Sequence, residues 1–292
     1  MKSYQYIYLS LIISFNSLSV AAQSPVNGFM QGKGKGSAVI SYYTENYIRA
    51  YEAPVNSGRQ VNSKVKSQIV SAFTTFGLSK EVDLQINFPY ASASGEVTKE
   101  ISDNIGPKNE KSGLQDISIY IKYNPFNFKL GKSDLSLLGA AGLSTPFGDY
   151  KIDEKYQSAV SIGSRSTQFT GVFLIHYKLN FGLFFTGSAG YSLRSNHVQN
   201  AAIVEFKSGF AGRRIYVDGY IGRQTSSTSK PSQNNINNLS AFSGSNPNYT
   251  RIGFNVYVPI IKKIGIAGGL SNYLNGRSKG ENGGYGALIY TF

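Results

Sequence analysis

Residues 81–90 read EVDLQINFPY. Val82, Leu84, Ile86, Phe88 and Tyr90 occupy every second position, with Asp83, Gln85, Asn87 and Pro89 between them. Successive side chains of a β-strand point to opposite faces, so this spacing predicts a strand with one apolar and one polar face. The pattern recurs along the chain. In LQDISIYIKYN (114–124), Ile117, Ile119, Ile121 and Tyr123 alternate with Asp116, Ser118, Tyr120, Lys122 and Asn124. In FTGVFLIHYKL (169–179), Phe169, Phe173, Ile175, Tyr177 and Leu179 lie opposite His176 and Lys178. In NYTRIGFNVYVPI (248–260), Ile252, Phe254, Val256 and Val258 lie opposite Arg251, Asn255 and Tyr257.

Twelve such runs are predicted, near 35–48, 63–77, 81–92, 113–125, 134–146, 166–179, 181–194, 198–210, 213–226, 248–260, 264–276 and 283–292. Each has roughly 10–14 residues, whereas strands of soluble proteins usually have about 5–6. A tilted strand crossing a bilayer needs about 9–11. Long connections (49–62, 93–112, 147–165 and 227–247) alternate with tight turns near 78–80, 126–133, 180, 211–212 and 261–263, and shorter links fall at 195–197 and 277–282. Long extracellular loops at one end and short periplasmic turns at the other are the habit of transmembrane barrels. The expected fold is therefore an all-β transmembrane antiparallel barrel of about twelve strands over 35–292, with ten or fourteen as alternatives. A soluble sandwich or lipocalin-like barrel is the competing architecture. It would have to bury every apolar stripe in one core, which fits twelve long half-polar strands less well.

Composition agrees. Charged residues are 15%, and 21 Tyr and 18 Phe stand with no Trp and no Cys. Without Cys there is no disulfide, thiolate metal site or Cys nucleophile. Residues 1–22 have the form of a secretory leader: Lys2, an apolar stretch over 7–20, then small residues before a cut between Ala22 and Gln23. The formal charge is +13, and loss of Lys2 with the leader leaves +12. For an exported chain this points to anionic lipid headgroups or anionic solutes and not to nucleic acid. The expected location is the outer membrane of a Gram-negative envelope.

The chain closes on GGYGALIYTF (283–292), where Gly286, Leu288, Tyr290 and Phe292 share one face. A barrel leaves no free edge in lipid only if its last strand pairs with its first. This ending resembles the C-terminal assembly signal of bacterial outer-membrane proteins, which implies the barrel-insertion machinery as a partner. Three further stretches, FTTFGLSKEVDLQINFPY (73–90), SGLQDISIYIKYNPF (112–126) and GLSTPFGDY (142–150), resemble the outer-membrane channel family known as "MetA-pathway of phenol degradation". That resemblance implies a barrel and passage of hydrophobic or aromatic compounds. It carries over no substrate-binding residue.

With the apolar faces toward lipid, the opposite faces line a lumen. This places Lys64, Lys66, Lys122, Lys178, Arg194, Lys207, Arg214 and Arg251 inside, with Asp83, Asp116, Glu205 and Asp218, the neutral His176, and Tyr120, Tyr216, Tyr220, Tyr257, Tyr273 and Tyr285. Eight cations against four acids make a weakly basic lumen, which would favour anions if it is open. The same charges could instead pair across strands and fill it. Twelve strands lie between eight, which side chains fill, and sixteen, which leave a water channel, so a constricted pore is expected.

An enzyme is not expected. The only histidines, His176 and His197, have no serine at the spacing of a base and nucleophile, and Asp153 and Glu154 read as loop charge. No cofactor or metal is expected either, since two His and no Cys cannot build a His- or Cys-rich site. GKGKG (32–36) lacks the Gly-Lys-Ser/Thr ending of a phosphate loop and reads as a lead into the first strand. Residues 23–34 are either a periplasmic segment or a small plug. Outward Gly171, Gly187 and Gly219 could serve barrel–barrel contact or strand curvature. The leading function is passage of small solutes, hydrophobic, aromatic or anionic. The alternative is a structural or adhesive barrel acting through loops 93–112 and 227–247.

Overall fold

The computed structural model describes residues 26–52, 60–95, 110–148, 166–195, 199–226, 248–276 and 278–292. Thirteen strand segments follow one another: β1 (Gly36–Glu52), β2 (Gln60–Gly77), β3 (Val82–Gly95), β4 (Glu110–Leu114), β5 (Asp116–Leu130), β6 (Ser133–Pro146), β7 (Gln168–Lys178), β8 (Leu183–Arg194), β9 (Ala201–Ala211), β10 (Tyr216–Ser226), β11 (Tyr249–Ile261), β12 (Ile264–Gly276) and β13 (Ser278–Thr291). β4 and β5 both pair with β3 and are two pieces of one strand, interrupted only at Gln115, whose N–H donates to the Pro89 carbonyl (2.9 Å). The barrel therefore has twelve strands. Each segment pairs antiparallel with its neighbours, and the ring closes where β1 lies against β13, from Ser37↔Thr291 to Arg49↔Ser278. Closure leaves no unpaired edge. Gly36 and Phe292 exchange both backbone hydrogen bonds at the seam (3.1 and 3.0 Å).

The expected strands match the observed ones within a few residues, with one difference in kind. The turn expected over 126–133 is a two-residue turn, Gly131–Lys132, because β5 runs on to Leu130. Pro125 looks like a strand breaker but sits in a bulge between Tyr123 and Phe126, a position where a missing N–H breaks no ladder. Phe126, Phe128 and Leu130 then continue the outward apolar row. Gly131 has a φ of +62° and supplies the left-handed backbone that so tight a turn requires.

The two faces divide as the alternation requires. Ile40, Phe88, Ile119, Phe173, Phe206, Phe254 and Leu288 stand exposed around the outside. Asp83, Gln85, Lys122, His176, Lys207, Asp218, Arg251 and Asn255 are buried within. This is the inverse of a soluble protein and matches a barrel with an apolar outer band and a polar interior. Among the described residues no helix is long and apolar enough to cross a membrane; the crossing elements are strands.

Candidate functional site

The site is the lumen together with the chain that precedes β1. Val26, Asn27, Phe29 and Gln31 are all buried inside the barrel. They lie at the end where the short turns gather. Val26 packs on Leu138, Ala140, Val172 and Leu174, with Met30 and Tyr120 beside it. Phe29 meets Phe184, Tyr216 and His176 edge-on, at ring-centre distances of 5.0, 6.2 and 4.4 Å. The Lys178 ammonium lies 5.7 Å from the centre of the Phe29 ring. The segment thus touches strands around much of the circumference.

Its backbone is held by one ion pair. Lys122 and Asp83 face each other across β5 and β3 at 3.2 Å, both side chains 0% exposed. The Asp83 carboxylate accepts the Gln31 N–H (3.1 and 3.3 Å). The Lys122 ammonium donates to the carbonyls of Asn27 (3.3 Å) and Phe29 and to Asn27 Oδ1 (3.4 Å). A buried charge pair persists only if its remaining hydrogen-bonding positions are filled, and here the segment's main chain fills them. Glycine permits the close fit. A Cβ on Gly28 would stand 2.3 Å from His176 Nδ1. His176 is accordingly a packed residue, with Nδ1 2.7 Å from Thr186 Oγ1. The GKGKG lead is a turn in which Gly32 and Gly34 take positive φ, and Gly34 donates to the Gly77 carbonyl (2.9 Å).

The remaining lumen candidates fall into three groups. Most point inward and are engaged. Glu205 and Lys207 lie 3.9 Å apart, and Lys207 lies 5.8 Å from the centre of the Tyr220 ring. Asp218 accepts from Asn255 (2.7 Å), whose amide oxygen accepts from Tyr285 (3.0 Å). Arg251 donates to Tyr43 Oη (2.7 Å) and Ser271 Oγ (2.6 Å) between the rings of Tyr43 and Tyr273. Arg194 donates to Gln224 (3.3 Å) and Ser192 (3.4 Å). Tyr216 stacks on Phe184, Tyr257 is half-buried beside it, and Asp116 is half-buried at the start of β5. Two candidates are corrected. Arg214 lies exposed in the turn at 212–215, because β10 begins at Tyr216 and not at 213. Lys66 is exposed and shares the outward parity of β2 with Val70 and Ala72. The Lys64 side chain, His197, Asp153, Glu154, the leader with Ala22 and Gln23, and residues 227–247 lie outside the described residues, as does most of 93–112.

Among the described residues, with Lys66 and Arg214 off the wall, the basic excess is gone. Lys122, Lys178, Arg194, Lys207 and Arg251 stand against Asp83, Asp116, Glu205, Asp218 and Glu45, which accepts from Tyr43 Oη. Sequence reasoning also missed three wall features. Tyr43 points inward beside the outward Tyr42, Tyr249 faces the same space, and β6 and β7 carry an inward apolar strip: Leu138, Ala140, Val172 and Leu174. The strip had a signal, since LLGAAGL and VFLI are apolar at consecutive positions and so break the alternation. Tyrosines line the opposite side with their rings laid against the sheet. A Cβ would meet the Tyr220 ring at Gly253 (2.4 Å), Tyr257 at Gly265 (2.3 Å) and Tyr285 at Gly269 (2.5 Å). The rings therefore pave the wall and do not cross the lumen.

Fold and lumen together define a class: a closed twelve-stranded barrel, apolar outside and polar inside, resembling Gram-negative outer-membrane proteins. Among solved structures it is similar to the COG4313 outer membrane channel from Pseudomonas putida F1, with 13% identity, a TM-score of 0.63, and 89% of this chain and 96% of that chain covered. More distant are the translocator domain of the autotransporter NalP from Neisseria meningitidis (11% identity, TM-score 0.47, 89% of each chain covered) and the Pseudomonas putida toluene transporter TodX (4% identity, TM-score 0.39, 88% of this chain and 89% of that chain covered). At such identities the first is a likeness of fold. No protein-family model and no curated protein matches the chain.

Proposed function

We propose that the protein is an outer-membrane channel for small apolar or aromatic solutes, closed at its periplasmic end by its own residues 26–33. One observation carries this: the segment covers an inward apolar strip on β6 and β7, across the barrel from the tyrosine-paved wall of β10 to β13. A polar-solute pore has no use for such a strip, whereas an apolar solute gains contact with it when the segment moves. The near balance of lumen charge among the described residues argues for weak ion selectivity and against the anion preference expected from the sequence. The printed name of the P. putida F1 structure, an outer membrane channel, supports the same direction.

The test is flux through vesicles carrying refolded residues 23–292, compared with a chain lacking 26–33. A small aromatic solute should enter faster than a sugar of equal size, and removal of the segment should raise both rates. Absence of flux in either form would overturn the proposal in favour of a structural or adhesive barrel.

A further inference from the structure

The short turns carry a charge pattern that solute passage does not require. Lys80, Lys132, Arg213, Arg214, Lys262 and Lys263 all lie in them and all are exposed. Lys33, exposed in the glycine-rich lead, stands at the same end. The acid within these turns is Glu81, which accepts from Ser79 Oγ (3.0 Å). Each basic turn also has an exposed large apolar neighbour within two residues: Leu78 before Lys80, Leu130 before Lys132, Ile215 after Arg214 and Ile261 before Lys262. At the seam the Lys263 ammonium lies 5.9 Å from the centre of the Tyr290 ring, and Tyr290 stacks with Phe292 at 6.1 Å. The cations therefore sit one or two residues beyond the rim of the apolar band. In a bilayer that is the depth of the lipid headgroups, where flexible basic side chains keep their stems in the apolar layer and their charge in water.

We infer that this basic rim binds the headgroups of anionic phospholipids in the membrane leaflet on the short-turn side. The inference rests on the outer-membrane placement proposed above, and not on the pore conducting. A ring of like charge at headgroup depth repels itself, and anionic phosphodiesters relieve that repulsion. Lys263 lies against the exposed outer-face ring of Tyr290, and each of the other basic turns has an exposed apolar side chain within two residues of a cation. Charges that steer solutes would instead point over the mouth of the lumen.

The test compares full-length mature protein with a variant carrying Arg213→Gln, Arg214→Gln, Lys262→Gln and Lys263→Gln. Both are reconstituted in phosphatidylethanolamine bilayers containing phosphatidylglycerol, re-extracted in mild detergent, and assayed for retained lipid by native mass spectrometry. Heat-modifiable gel migration verifies that both are folded. The wild type should retain phosphatidylglycerol in several-fold preference to phosphatidylethanolamine, and high ionic strength or the four substitutions should abolish the preference. Equal retention by the variant would overturn the inference. So would a variant that changes only the ion selectivity of the pore, which would make the rim a solute funnel. Solute flux is read separately, so failure of the channel proposal leaves a distinct signature.

Discussion

Replacing Lys122 by Met should unseat the N-terminal segment while leaving the barrel closed. The substitution keeps the side-chain length and removes the ammonium that joins Asp83 to the carbonyls of Asn27 and Phe29. Asp83 would then be a fully buried carboxylate whose remaining described donor is the Gln31 N–H. Removing one partner of a buried pair costs about 3–5 kcal/mol. The seated state bears most of that penalty, because withdrawal of the segment admits water to Asp83. At about 1.4 kcal/mol per factor of ten, the seated-to-withdrawn ratio should fall by roughly a hundredfold to a thousandfold. The strand pairings do not involve the Lys122 side chain, so the barrel should keep its heat-modifiable migration. The assay is single-channel current across a planar bilayer, with the chain lacking 26–33 as the open reference. Lys122→Met should move the wild-type current toward that reference. Wild-type currents from Lys122→Met, beside a raised current from the deletion, would refute the argument that the ion pair latches the segment.

Gly28→Leu should give the same open signature without touching the ion pair, since a Cβ there meets His176 at 2.3 Å; unchanged currents would show that the segment can shift to accommodate it. Phe173→Arg, at the middle of the outer face of β7, should destabilise the barrel in vesicles by about 2–4 kcal/mol in a urea titration, as a charge facing lipid does. Gly253→Val should cost about 1–3 kcal/mol in the same titration by displacing the Tyr220 ring, and Tyr220→Ala in the same chain should recover part of the loss. Phe292→Ala removes the ring that stacks on Phe76 and Tyr290 beside the closing seam; the folded fraction after refolding should fall, as read by gel migration.

Much of the fold is legible in the chain because a barrel strand in lipid obeys a strict local rule. Val82 to Tyr90 must put every second side chain into hydrocarbon, so the period of two survives whatever the strand's partners are. The same rule loses force where strands outrun the bilayer. β2 has 18 residues, more than the roughly 9–11 that span it, so Lys66 can point outward without meeting lipid, and charge alone assigned it to the wrong face. Arg214 was misplaced for a related reason: a turn and a strand end look alike when the neighbouring Ile215 is apolar.

Residue pattern alone thus predicted about twelve strands, the facing of most of them, the pairing of first with last, and the strand positions of Asp83 and Lys122. It left open whether residues 23–34 stay outside or enter the lumen. The tertiary structure buries Val26, Asn27, Phe29 and Gln31 within the barrel, and it alone shows the apolar strip on β6 and β7 and the tyrosines lying over glycines of neighbouring strands. The division has a physical cause. Facing is set by each residue against its solvent, one position at a time. The seat of the segment depends on Asp83 and Lys122, 39 positions apart in the numbering, meeting across β3 and β5, and on Gly28 finding the room beside His176. Those distances exist only once the barrel has closed.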